Sequence, residues 1–161
     1  MKEIRNLTFT KENLISISII FIIFFIDFFS KNYVLNNFSE NTFYVNSFIN
    51  FDLTWNTGIG FGLFSSESNL IYNSISVLII LVIFFLLYLA IKSDNFDKII
   101  FSIIIGGALG NFYNRIFYKA VPDFIDLHYN NFHWFTFNIA DIFITIGIIL
   151  FILKSFFEKN V

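Results

Sequence analysis

The chain contains no cysteine, so disulfides, thiol nucleophiles and cysteine-held metals are excluded. Its one proline, Pro122, leaves every long apolar run free of a helix breaker. Charged residues make up only 14% of the 161 positions, against roughly 25% in soluble domains. The net charge is −2 and no basic stripe is present, which excludes a nucleic-acid partner. Histidine is scarce too. His128 and His133 stand five apart near two acids, which makes a zinc site conceivable, but they match no ligand spacing such as HExxH, so no metal and no organic cofactor is expected.

Apolar sequence fills the space that charge leaves. The chain is 57% hydrophobic with 26 phenylalanines, and its mean hydropathy is +0.73. This predicts a single integral membrane domain over 1–161, with spans at about 14–29, 70–91, 99–117 and 137–157. The first run ends in Phe28-Phe29-Ser30-Lys31 without a small-residue cleavage site, so it reads as a retained helix. The second carries no ionisable residue and reads as an anchor. Lys2, Arg5, Lys11, Lys92, Lys98, Lys154 and Lys159 fall on one side of the membrane; Lys31, Arg115 and Lys119 fall on the other. The positive-inside rule then places both termini in the cytoplasm.

That orientation gathers polar residues at the outer face. Asp27 and Lys31 are spaced i,i+4 with the acid first, which puts them on one helix face; they either ease the helix end into lipid or hold a site. Phe51, Leu53 and Trp55 alternate with Asp52, Thr54 and Asn56, a strand pattern that the glycines of Thr57-Gly58-Ile59-Gly60 break. Such a strand either lies on the headgroups and presents Asn56 to a substrate, or is an ordinary hairpin. Gly107, Asn111 and Arg115 follow one another at steps of four along the third span, beside a Gly106/Gly110 small-xxx-small pair. Close helix packing accounts for the glycines; Asn111 and Arg115 need polar partners. Pro122 turns the chain extended ahead of Asp123. Asn138 and Asp141, three apart, share the first turn of the fourth span, where the helix N-terminus favours negative charge.

Aspartate costs about 2.5–3.5 kcal/mol at the centre of a bilayer, so Asp123 and Asp141 at the ends of spans point to function. Two neighbouring carboxylates share a proton, because ionising both is costly. The ionised partner takes a proton from an attacking water and the neutral one donates to a carbonyl oxygen. No serine–histidine arrangement competes with this, so peptide hydrolysis suits the pair best. The alternative is a small proton- or ion-coupled carrier, which calls for polar groups through the midplane.

Five ordered blocks carry a resemblance. They are Asp27-Phe28-Phe29-Ser30-Lys31; Asn56-Thr57-Gly58-Ile59-Gly60-Phe61; Gly106-Gly107-Ala108-Leu109-Gly110-Asn111 with Arg115; Val121-Pro122-Asp123-Phe124; and Phe137-Asn138-Ile139-Ala140-Asp141. Together, over essentially the whole chain, they resemble the bacterial lipoprotein signal peptidases (signal peptidase II). The resemblance implies four transmembrane helices in an all-α membrane protein, with a small extracytoplasmic β-sheet and loop at the outer face. It implies an aspartic endopeptidase of the inner membrane that cuts diacylglyceryl-modified prolipoproteins before the lipidated cysteine, with those precursors and membrane lipid as partners. Asp123 and Asp141 would be the catalytic pair. Asn56, Gly58, Asn111, Arg115 and Asn138 would line the substrate site or steady the pair, with Asp27 and Lys31 in support. Asn114, Gly60 and Pro122 stand where the family usually has aspartate, alanine and an aliphatic residue. An inactive relative that only binds lipoprotein precursors is the remaining reading.

Overall fold

The computed structural model describes residues 10–38, 40–58 and 69–158. Four long helices, α1 (Lys11–Asn37), α2 (Asn69–Lys92), α3 (Asn95–Tyr118) and α4 (Ile139–Glu158), are accompanied by four strands. These are β1 (Phe43–Tyr44), β2 (Ile49–Asn56), β3 (Val121–Tyr129) and β4 (Phe132–Phe137), which form one antiparallel sheet in chain order. Each helix is long and apolar enough to cross a membrane. Phe21, Ile22, Leu81, Phe85, Ile152 and Phe156 all point outward and exposed. Such a surface is tolerable only in hydrocarbon.

The third helix is the hub. Half of its apolar stretch is buried, against 17% for each of the other three, and it packs on α1, α2 and α4. Glycine permits this. A Cβ on Gly106 would stand 2.9 Å from Ile23 Cβ on α1, and one on Gly107 would stand 2.6 Å from the Ala140 carbonyl oxygen on α4. The second clash is with backbone, which cannot rotate away. Gly107→Ala is therefore expected to destabilise the bundle by about 1–3 kcal/mol, read as a lower unfolding midpoint in detergent. An unchanged midpoint would show that α3 and α4 do not depend on this contact.

Helix ends are set locally. Asp94 caps α3 by accepting from the amides of Phe96 and Asp97, both at 2.9 Å, so the helix starts directly after the α2–α3 link. At the same end Lys154 of α4 reaches Asp94 Oδ2 at 2.9 Å and Asp97 Oδ1 at 2.7 Å. α1 runs on past its apolar run to Asn37. There Val34 packs with Phe124 and Ile125 of β3, and Phe38, Phe51, Phe137 and Ile142 close around them. This cluster fixes the sheet to one end of the bundle.

The register of β2 differs from simple alternation. A β-bulge lies between Phe51 and Thr54 in its pairing with β3, after which Trp55 is exposed and Asn56 buried. A bulge adds one residue to one side of the ladder and re-aims the side chains beyond it. It is what turns the end of β2 inward. Residues 121–137, which carry no clear strand pattern in the sequence, form a hairpin whose turn holds Asn130 at φ 52°, a left-handed conformation that asparagine tolerates.

Candidate active site

The polar residues of five elements meet where the sheet joins the helices. Asp123 comes from the start of β3, just after the αL residue Lys119 ends α3. Asp141 comes from the first turn of α4. Both are buried, with Asp123 only 2% exposed. Asn138 sits just ahead of α4 rather than within it, because β4 keeps the backbone extended up to Phe137. From there its side chain bridges the two acids. Its Nδ2 donates to Asp123 Oδ1 at 2.5 Å, and its backbone amide donates to Asp141 Oδ2 at 3.1 Å. Its Oδ1 in turn accepts from the Asp141 amide at 3.1 Å.

Three asparagines share one pattern. Asn56 donates from Nδ2 to Asp123 Oδ2 at 2.8 Å, and Asn111 donates from Nδ2 to Asp141 Oδ1 at 2.8 Å. An amide could equally present its oxygen, which would repel a carboxylate. Each is prevented from doing so by a donor on its own oxygen. Gly58 N holds Asn56 Oδ1 at 2.8 Å, Lys31 Nζ holds Asn111 Oδ1 at 2.7 Å, and the Asp141 amide holds Asn138 Oδ1. All four carboxylate oxygens of the pair therefore accept one hydrogen bond from an amide, and each keeps a second acceptor site for water or substrate.

Asp27 and Lys31 lie behind this layer. Both are fully buried, and Lys31 Nζ is 2.7 Å from Asp27 Oδ2. Asp27 Oδ1 accepts from the Ala140 amide at 2.9 Å, which ties α1 to the N-terminus of α4. Gly110 belongs to the same contact, since a Cβ there would collide with the Asp27 carboxylate. Arg115 stands further off. Its Nη2 donates to the Gly58 carbonyl, and its guanidinium lies 5.7 Å from the ring of Tyr72. It acts on the loop after β2 and touches neither acid through a hydrogen bond among the described residues.

The structure thus brings Asp27, Lys31, Asn56, Gly58, Asn111, Asn138, Asp123 and Asp141 into one network, with Arg115 joined through Gly58. Tyr72 was missed by sequence reasoning. Its hydroxyl donates to the Arg115 carbonyl at 2.7 Å, so α2 is more than an anchor. A tyrosine in the polar first turns of the span, beside Asn73, Ser74 and Ser76, was the available signal. Asn114 is buried and its Oδ1 has no hydrogen-bond partner among the described residues. Pro122 is the second residue of β3, and Val121 ahead of it is extended as a following proline ring favours; Gly60 lies outside the described residues.

Electrostatics separates Asp123 from an ordinary carboxylate. Burial first, and the nearby Asp141 charge second, push it up to about 6. Hydrogen bonds from Asn56 and Asn138 and the charge of Lys31 pull in the other direction. A carboxyl that stays protonated to near-neutral pH can donate a proton, which a solvated aspartate cannot do.

The family described as signal peptidase (SPase) II matches residues 19–157. The chain belongs to the signal peptidase II family. It is accordingly a peptidase and a multi-pass bacterial membrane protein. It is 48% identical over 153 residues to the lipoprotein signal peptidase of Pelagibacter ubique, covering 93% of this chain and 92% of that one. The lipoprotein signal peptidase of Wigglesworthia glossinidia brevipalpis is 43% identical over 154 residues, with 94% and 98% covered. A bacterial membrane enzyme solved by the in meso method at 2.3 Å resolution superposes with a TM-score of 0.77 at 30% identity, covering 89% of this chain and 88% of that one.

Proposed function

We propose that this signal peptidase II family member is an aspartic endopeptidase. It removes signal peptides from diacylglyceryl-modified prolipoproteins by cutting before the lipidated cysteine. The observation that carries the reading is the pair of buried carboxylates held by one residue, Asn138, through its side-chain amide on Asp123 and its backbone amide on Asp141, with Asp123 pushed up to about 6. In this reading Asp141 is ionised and takes a proton from a water between the two acids. The water oxygen attacks the scissile carbonyl carbon while Asp123 donates its proton to the carbonyl oxygen. The tetrahedral intermediate collapses as a proton passes to the leaving amine. Asn56, Asn111 and Asn138 are positioning residues, and Lys31 with Asp27 fixes the orientation of Asn111. Arg115 and Gly58 hold the end of β2 against the site.

The chain works as one domain over 1–161 with both termini in the cytoplasm and the site at the outer face of the inner membrane. The distribution of lysine and arginine between its loops supports that orientation. The lipid on the precursor would be recognised within the bilayer. Purified protein incubated with a lipid-modified precursor and with its unmodified form tests the reaction. Release of the signal peptide from the modified form alone, with the new N-terminus at the lipidated cysteine by mass spectrometry, is the expected result. Equal cutting of both forms, or a cut elsewhere, would remove the lipoprotein-specific reading.

The acid–base roles carry a pH signature. Asp123 must be protonated to donate, and it loses its proton as pH rises through about 6. The value of kcat/KM is therefore expected to fall with a midpoint near pH 6 on the alkaline side. Asn56→Ala removes a hydrogen bond that favours the charged form, so the midpoint should move to higher pH. A profile flat from pH 5 to 8 would assign the proton elsewhere.

A further inference from the structure

We propose that Asp126, His128 and His133 form a binding site for a divalent metal ion of the zinc class, separate from the peptidase pair. One ligand atom from each residue lies within 4.8 Å of the others. The strand geometry brings them together: Asp126 and His128 are two apart on β3, and His133 is the cross-strand partner of His128 on β4. The ladder pairs Leu127 with Phe135 and then His128 with His133, so a bulge in β4 sets His133 beside the other two.

Both imidazoles turn Nδ1 toward the same carboxylate oxygen. His133 Nδ1 lies 2.7 Å and His128 Nδ1 3.5 Å from Asp126 Oδ2, and the rings stack with centroids 5.3 Å apart. His128 is 6% exposed, and its Nδ1 makes no hydrogen bond among the described residues. A buried ring nitrogen left in that state is costly unless something fills its acceptor or donor role. A tetrahedral zinc with ligand bonds of about 2.0–2.1 Å separates two of its ligand atoms by about 3.4 Å. The His128 nitrogen and Asp126 oxygen already have that spacing, and the His133 hydrogen bond need open by less than an ångström.

Two imidazoles and one carboxylate suit zinc and its neighbours over magnesium or calcium, which prefer all-oxygen shells. The fourth position would be water, reached past the exposed His133. Such an ion would clamp β4 to β3, the strand that carries Asp123. The sequence spacing alone does not fix this set, because His133 joins Asp126 and His128 only through the bulged register of β4.

The test is calorimetric titration of untagged protein in detergent with zinc chloride, beside magnesium chloride at the same concentrations. Wild type should bind one zinc ion per chain and no magnesium, and its unfolding midpoint should rise with zinc. His128→Phe keeps an aromatic ring in the buried site, and His133→Ala changes an exposed position. Each should lose the stoichiometric heat and the zinc-dependent rise while unfolding normally in zinc-free buffer. Should His128→Phe fail to fold, His133→Ala decides alone. Absence of saturable binding by wild type, or unchanged binding in His133→Ala, would overturn the site.

Discussion

Replacing Asp123 or Asp141 with asparagine should lower the rate of prolipoprotein cleavage roughly 10⁴-fold, the loss the proposed acid–base pair predicts when one member is removed. In the proposed mechanism the two acids act on the same water and the same carbonyl, so the double replacement should cost no more than either single one. Stability should not follow activity. An ionised Asp123 is disfavoured in its buried position, as its rise to about 6 records, and an amide removes that burden. An asparagine at position 123 still faces the donors of Asn56 and Asn138, so one of these bonds weakens as the other is kept. The unfolding midpoint in detergent should therefore stay near that of wild type. A variant folded in this sense that keeps more than about 1% of the wild-type rate would remove its aspartate from the catalytic step.

The sequence and the structure agree where physical chemistry is local. Uninterrupted apolar runs demand helices, and glycines at steps of four demand close packing, so the bundle could be read from composition and spacing. Acids at the ends of spans could be read as well, because their cost in lipid is large. Three things could not. Asn56 was paired in the pattern with Asp52 and Thr54 on one face, but a bulge changes which side faces inward, and bulges leave no mark in alternation. The β3–β4 hairpin has aromatic residues on both faces and Asn130 at a left-handed turn, so it reads as an irregular interface segment. The orientation of the three amides is set by donors from Gly58, Lys31 and Asp141, which are distant in sequence or belong to backbone. Residue type names the partners of a carboxylate; only the network says which end of each amide is presented.

The buried pair on α1 gives the sharpest separation of folding from positioning. Lys31→Met should destabilise the protein by about 3–5 kcal/mol, because it leaves Asp27 buried without its counter-charge. Adding Asp27→Asn removes that orphan charge and keeps an oxygen to accept from the Ala140 amide. The double variant should therefore regain most of the lost stability, and a double-mutant cycle on unfolding measures the coupling. Activity should not return with it. Asn111 Oδ1 has lost the Lys31 ammonium that held it, and the amide is then free to turn its oxygen toward Asp141, where it repels the ionised form. If cleavage recovered together with stability, Lys31 would serve only the fold, and the orientation of Asn111 would have to be fixed by another group. Recovery of the fold without recovery of the rate would instead show that an ion pair buried in α1 sets the polarity of the hydrogen bond that its neighbour Asn111 makes to Asp141.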